Sequence, residues 1–319
     1  MRILTGIQPS GKLHWGNYFG AMKPMFDLQS KGANFMFIAN FHAMTTVRDG
    51  AALREATRDV ALDYLACGLD PEKTVVYRQS DVPEVQELAW YLSCLTPMGL
   101  LERCHSYKDK MAHGFEATHG LFAYPVLMAA DILIMQADLV PVGKDQKQHL
   151  EVTRDLCQKF NNAYGETLKM PEPCIPESVA VIPGTDGQKM SKSYRNTIEL
   201  FEPVQSIKKK VMGIVTDSKT VDEPKEPEGN SIYELYKLFA APEDAAAMAE
   251  SFRAGGMGYG SAKKALLEAY HRLFDPFRAR REELAKDAAT LEDILRDGAK
   301  KARAAAAPTM EKVREAVGL

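Results

Sequence analysis

Two short segments hold residue types whose spacing can do chemistry. Near the N-terminus the chain reads Pro9-Ser10-Gly11-Lys12-Leu13-His14-Trp15-Gly16-Asn17, and far downstream Lys189-Met190-Ser191-Lys192-Ser193. The first is a small, polar loop followed by a helix opening near Gly16. The N–H groups and dipole of such an opening favour an anion. Gly16 permits close approach of a ligand to the backbone. His14 and Asn17 are three residues apart, share one helical face, and both can donate to phosphate oxygens. The second segment follows Pro183-Gly184-Thr185-Asp186-Gly187-Gln188, a glycine-rich stretch expected to be mobile. Two ammonium groups on such a loop can close on a phosphate-bearing ligand as charge develops there, with Ser191 and Ser193 adding hydroxyl or backbone donors.

Three further places invite chemistry. Asp131 is an acid inside the apolar run Val126-Leu127-Met128-Ala129-Ala130-Asp131-Ile132-Leu133. Buried acids are rare without a partner, and a carboxylate is an acceptor suited to a ligand bearing one N–H donor. Met128, a turn away from Ile132, offers an adaptable apolar wall. Gly143-Lys144-Asp145-Gln146 sits between an expected strand and helix, where Gly143 allows close approach and Asp145 can accept from ribose hydroxyls or cap the helix. His42 follows an apolar strand and fits a structural role as readily as a functional one.

The elements that must position these groups alternate over the first 200 residues. Strands are expected at Arg2–Thr5, Asn34–Asn40, Thr74–Arg78 and Leu139–Val142. Helices are expected at Ala51–Leu69, twice between Val82 and Lys110, at Leu121–Met135 with an early interruption at Pro125, and at Gly143–Asn162. This is an α/β pattern: a Rossmann-like, doubly wound parallel sheet over residues 1–199. Ligands bind such sheets beyond the carboxyl ends of the strands. Gln8–Asn17, Phe41–Thr45, Gly143–Gln146 and the Lys189 loop all follow strands, so one crevice should gather them. Thr216–Gly229 is charged and proline-bearing, a loop, and residues 200–319 are otherwise helix-forming, giving an all-helical C-terminal domain.

The composition fits a soluble globular core: 319 residues, 45% apolar, net charge −3. That charge gives no bulk attraction for nucleic acid, so RNA contacts would need local patches. Lys208–Lys210, Lys263-Lys264, Arg278–Arg281 and Lys300-Lys301-Arg303 are candidates. No stretch reaches the roughly 18 apolar residues of a membrane span, and no signal segment opens the chain. The five cysteines are scattered and never C-x-x-C, which argues against disulfides or zinc and for a reducing cytoplasm.

The two signature segments resemble the paired His-x-Gly-His/Asn and Lys-Met-Ser-Lys-Ser motifs of class I aminoacyl-tRNA synthetases. Tyr124–Leu133 and Leu139–His149 are most similar to the tryptophan-specific branch, and the likeness runs over nearly the whole chain. The resemblance implies activation of tryptophan with ATP and magnesium, transfer to tRNA, a cytoplasmic homodimer, and an anticodon-reading helical domain. It implies catalytic roles for His14, Asn17, Lys110, Lys189 and Lys192. ATP would lie against Gln8, Pro9, Ser10, Gly16, Asn17, Gly143, Lys144, Asp145, Ile182 and Lys189–Ser193 (Met190 and Ser191 included). Tryptophan would lie against Gln8, His42, Tyr124, Met128, Asp131, Val140, Val142 and Gln146. The sequence departs from the branch at Lys144, commonly Glu, at Ser106, often Gln, at Asn40-Phe41, commonly Asp-Gln, and at Tyr194-Arg195. Three rivals remain: a tyrosine-specific enzyme of the same fold, a small nucleotidyltransferase, and a silent paralogue. Leu4 disfavours the first, the complete second motif disfavours the second, and intact His14, Asn17, Asp145, Lys189 and Lys192 disfavour the third.

Overall fold

A computed structural model describes the chain except for residues 105–113, 115, 144–145 and 175–181. Five strands form one parallel sheet: β1 (Arg2–Ile7), β2 (Ala33–Ile38), β3 (Thr74–Arg78), β4 (Leu139–Pro141) and β5 (Glu172–Cys174), in the order β3-β2-β1-β4-β5. The order reverses between β1 and β4, where a doubly wound sheet opens its binding crevice. The fifth strand was not expected from sequence. It is three residues long and carries Pro173, and so little apolar alternation that it has no strand signature of its own.

The β2 sequence ANFMFI shows why both faces are covered. Met36 and Ile38 point into one apolar cluster and Phe35 and Phe37 into the other, the period-2 alternation of a strand buried on both sides. The long helices are α1 (Gly50–Ala66), α2 (Glu84–Leu95), α3 (His119–Ile134), α4 (Lys147–Tyr164), α5 (Val204–Met212), α6 (Ser231–Phe239), α7 (Pro242–Ala254), α8 (Tyr259–Lys286) and α9 (Ala288–Val317). Asp49 caps α1 by accepting from the amides of Ala51 and Ala52, and Asn230 caps α6 in the same way. Helix α3 runs through Pro125 without the expected interruption. Pro125 supplies no N–H, so the Leu121 carbonyl goes without its usual partner four residues on.

The change to all-helical sequence after residue 200 is not a gap in packing. The signature residue Trp15 is fully buried against Phe239 of α6 and stacks on Tyr270 of α8. Helix α9 returns to the sheet and lies along its β3 edge. A Cβ at Gly298 would fall 1.8 Å from the Val76 carbonyl oxygen, so only glycine admits this approach. Ala299, Ala302 and Ala306 then join the same cluster as Leu4 and Phe35. The edge of the sheet is thereby covered.

Candidate active site

The carboxyl ends of four strands deliver the site. Gln8 follows β1, His42 follows β2, Gln79 follows β3 and Val142 follows β4. Gln8 donates to the His42 carbonyl at 3.2 Å, tying the first two together. Val142 is held from the β5 side by its amide bond to the Cys174 carbonyl, 3.1 Å.

At the amino-acid end, α3 places Asp131 in full burial, 3% exposed. The carboxylate is not alone. The Gln79 amide donates to both oxygens at 2.8 and 2.9 Å, and His42 Nε2 meets Oδ2 at 2.8 Å. Burial pushes the Asp131 carboxyl up, opposed by the bonds from His42 and Gln79. Two accepted bonds at Oδ2 and one at Oδ1 leave acceptor capacity on Oδ1 for one more donor. Gln79 is therefore a member of the site that sequence reading missed. Its amide also accepts from the Phe41 amide at 3.0 Å, fixing the turn that presents His42. The available signal was a polar residue directly after the β3 run TVVYR, in the position that Gln8 occupies after β1. Tyr124 and Gln146 come together through a second missed residue, His149 of α4. Tyr124 Oη lies 2.7 Å from His149 Nε2, and Gln146 Oε1 lies 3.0 Å from Nδ1. Val140 is buried, and Met128 and Val142 pack partly buried against the same apolar cluster.

At the nucleotide end the structure changes the expected use of the helix opening. The amides there are occupied. Trp15 bonds the Ile198 carbonyl at 3.0 Å, Gly16 bonds Met190 Sδ at 3.4 Å, and Asn17 bonds the His14 carbonyl at 2.8 Å. The helical turn itself spans only Trp15–Asn17 before the chain loosens into a π-helical turn at Tyr18–Met22. Backbone N–H groups are thus not the anion donors. Gly16 also serves a different purpose: a Cβ there would meet the His14 ring at 3.0 Å and Met190 Cβ at 3.5 Å. Asn17 Oδ1 accepts from the His14 amide at 3.0 Å, which turns its NH2 group outward.

His14 is buried, and burial, then the charge of Lys192, lower its pKa to about 4, so the ring is neutral at pH 7. Its Nδ1 has no hydrogen-bond partner among the described residues. Lys192 reaches across to the Ser10 carbonyl, 3.3 Å, and burial lowers its pKa against the raising effect of Glu199. Lys189 projects from the same hairpin and is exposed. Ile182 is buried and accepts from the Met190 amide at 2.8 Å; Pro9 is buried beside the exposed Ser10. The backbone amides of Ser191 and Ser193 donate within the loop, to Asn196 Oδ1 and to Ser191 Oγ, so the Ser191 hydroxyl oxygen already accepts one bond and keeps its O–H to donate. Gly143 lies at the end of β4, but Lys110, Lys144 and Asp145, with Ser106, fall outside the described residues. No group of three or more His, Cys, Asp or Glu suited to a metal occurs among the described residues.

Several of the basic clusters are spent on the protein itself. Lys263 is buried and donates to the carbonyls of Met212 and Ile214. Arg278 donates to the carbonyls of Phe201 and Glu202, and Arg281 binds Asp63 and Asp59. Lys210, Lys301 and Arg303 pair with Glu202, Asp297 and Glu84. Lys208, Lys209, Lys264, Arg280 and Lys300 are exposed and make no ion pair among the described residues.

A switch-point crevice with a two-lysine loop over its first strand is the architecture of a nucleotide-dependent synthetase. The model of the family "tRNA synthetases class I (W and Y)" matches residues 1–275, and the chain belongs to that family. Within it, a tryptophan–tRNA ligase of Rhodopirellula baltica is 53% identical over the full length of both chains. The crystal structure of tryptophanyl-tRNA synthetase from Campylobacter jejuni complexed with ADP and tryptophan superposes with a TM-score of 0.94 at 50% identity, covering all of both chains. The Mycoplasma pneumoniae enzyme superposes at 0.87 with 31% identity, covering all of this chain and 97% of that one.

Proposed function

We propose that this protein activates L-tryptophan with ATP, forming tryptophanyl-adenylate and pyrophosphate, and then transfers tryptophan to its cognate tRNA. One observation carries the reading beyond family membership. A continuous line of contacts runs from Lys192 to Ser10, through Gln8 to His42, and on to the buried carboxylate of Asp131. A cation that can follow phosphate charge and an acceptor that can recognise an indole N–H thus belong to one crevice.

In this reading Oδ1 of Asp131 accepts the indole N–H while Met128, Val140 and Val142 enclose the ring. Tyr124 and Gln146, tied through His149, hold the α-amino group, and His42 and Gln8 close the pocket floor. The substrate carboxylate attacks the α-phosphorus, and negative charge builds on the departing pyrophosphate. Lys189 and Lys192 meet that charge, and neutral His14 with the outward amide of Asn17 donates to phosphate oxygens. Gly143, Lys144 and Asp145 would hold the nucleoside and Lys110 the phosphates. Magnesium would enter with ATP as part of the substrate.

The finer assignments follow the same reading. Residues 200–319 serve tRNA recognition, with Lys208, Lys209, Lys264, Arg280 and Lys300 as exposed cations unpaired among the described residues. Trp90 of α2 is 68% exposed and Met98 63%, apolar side chains that a second copy of the chain would cover in a homodimer. No helix among the described residues is long and apolar enough to cross a membrane, and the cytoplasm is the proposed compartment. The test is amino-acid-dependent ATP–pyrophosphate exchange across the twenty amino acids. Exchange confined to tryptophan is expected; exchange driven by tyrosine, or by none, would overturn the assignment.

A further inference from the structure

Asn196 lies three residues beyond the lysine loop and is only 2% exposed. Nothing in its sequence surroundings, Tyr194-Arg195-Asn196-Thr197, marks it for a role. Yet both of its side-chain donors and its side-chain acceptor bond the loop that carries both lysines. Oδ1 accepts from the Ser191 amide at 2.8 Å. Nδ2 donates to the Lys189 carbonyl at 3.0 Å and to Asp186 Oδ1 at 2.8 Å. Its own carbonyl accepts from the Thr185 amide at 3.0 Å.

These bonds turn residues 182–196 into a clip. Pro183 and Lys189 pair as an antiparallel bridge, closed by the Met190 amide on the Ile182 carbonyl at 2.8 Å and the Gly184 amide on the Gln188 carbonyl at 2.6 Å. The turn passes through Gly187 at φ +82. Gly184 is bare where Asn196 fills the centre: a Cβ there would sit 2.4 Å from the Asn196 amide. The glycine-rich approach to the lysines, expected to be loose, is therefore a hairpin folded around one amide. Lysine side chains remain long and exposed, but the backbone from which they start is tied to Asn196 within the loop.

We infer that Asn196 is a positioning residue for adenylate formation: it sets the origin and direction of Lys189 and Lys192, and so the stabilisation they give the departing pyrophosphate. The inference rests on the proposed two-step function. It also makes a claim that function alone does not: Asn196 matters to the first step and not to the second. Transfer of tryptophan from adenylate to tRNA no longer has pyrophosphate to stabilise. A group that acts only through the lysines has nothing to contribute there.

The experiment uses the full-length protein with Asn196→Ala and the isosteric Asn196→Asp, which keeps the acceptor and loses the donor. Adenylate formation is followed in a single turnover with ATP and tryptophan. Transfer is followed separately from adenylate already bound to each variant. Losing two hydrogen bonds of preorganisation should slow adenylate formation by about 30-fold or more, with KM for ATP changed by less than about threefold. The transfer rate should stay within about twofold of wild type. In a Lys192→Ala background, Asn196→Asp should cost clearly less than it does alone, because one of the two groups it aims is gone. Equal losses in both steps would reduce Asn196 to a stabiliser of the fold, and an undiminished first step would remove any role. Full additivity with Lys192→Ala would also overturn the inference. Wild-type protein that forms no adenylate with tryptophan would instead overturn the functional reading, and the inference with it.

Discussion

The two ends of the crevice solve opposite electrostatic problems. At the amino-acid end the carboxyl of Asp131 is buried and held by three hydrogen bonds from His42 and Gln79. At the nucleotide end the ligand brings the charge, and the protein answers with exposed lysines on a fixed hairpin beside a neutral histidine. The difference follows from when each group acts. Recognition of one N–H needs an acceptor that cannot reorganise, because an acceptor free to find other donors discriminates little. Stabilising a charge that appears during reaction needs cations not already paired in the resting state. Full burial is therefore useful for the Asp131 acceptor and would be self-defeating for the lysines that must meet the new charge.

The largest expected effect tests the nucleotide end. Lys192→Ala should lower kcat for adenylate formation about a hundredfold, the equivalent of losing a charge-assisted bond of about 3 kcal/mol, while KM for ATP moves little. Steady-state pyrophosphate exchange separates the two constants. Equal changes would mean that the lysine merely holds ATP, and the contrast between the two ends would collapse.

Asp131→Ala should come next. It removes the indole acceptor at a cost of about 1–3 kcal/mol in kcat/KM for tryptophan, roughly 5- to 150-fold. The tryptophan-to-phenylalanine ratio should fall, since phenylalanine never used that acceptor. Asp131→Asn, which retains one acceptor oxygen, should lose less. The structure adds a second expectation: the alanine leaves His42 and Gln79 without their partner, so Tm should fall as well. An unchanged amino-acid ratio with a lowered Tm would make Asp131 a purely structural acid.

Gln79→Ala sharpens the same point at lower cost. It should raise KM for tryptophan about fivefold, as for one buried hydrogen bond of about 1 kcal/mol, and leave KM for ATP unchanged. Movement of both Michaelis constants together would show that the two ends are not separable.

The smallest effect is a titration. His14 should protonate near pH 4 instead of near 6.5, read by NMR of the imidazole, and Lys192→Ala should raise that value by removing a nearby positive charge. The sign for stability follows. As pH falls from about 6.5 toward 4, the unfolded chain takes up a proton that folded His14 refuses, so stability is lost across that window and not regained below it. A titration near 6.5 in the folded protein would place His14 in water and remove it from the buried nucleotide end.

Much of the frame was legible because it is written in local pattern. Strands such as TVVYR and NFMFI and the long amphipathic helices follow from periodicity, and the lysine pair and Asp131 announce themselves by type and context. Gln79, His149 and Asn196 did not, because a glutamine, a histidine or an asparagine means little until its partner is known. Their partners lie 52, 25 and 5 to 10 residues away. The same limit explains the basic clusters. Lys263, Arg278 and Arg281 read as charges free for phosphate, and the fold turned them toward carbonyls and carboxylates that no sequence window contains.

The sequence by itself determined the parallel α/β sheet, the crevice at its carboxyl ends and the chemical types gathered there, since periodicity and short motifs are properties of neighbours along the chain. Tertiary structure alone decided which donors were already spent. It closed the amides at the helix opening, neutralised His14 by burial, folded the glycine-rich loop around Asn196 and laid α9 along β3 where Gly298 has no side chain. Hydrogen-bond capacity and desolvation depend on what lies within a few ångströms in space, and that distance is set only when the chain has folded.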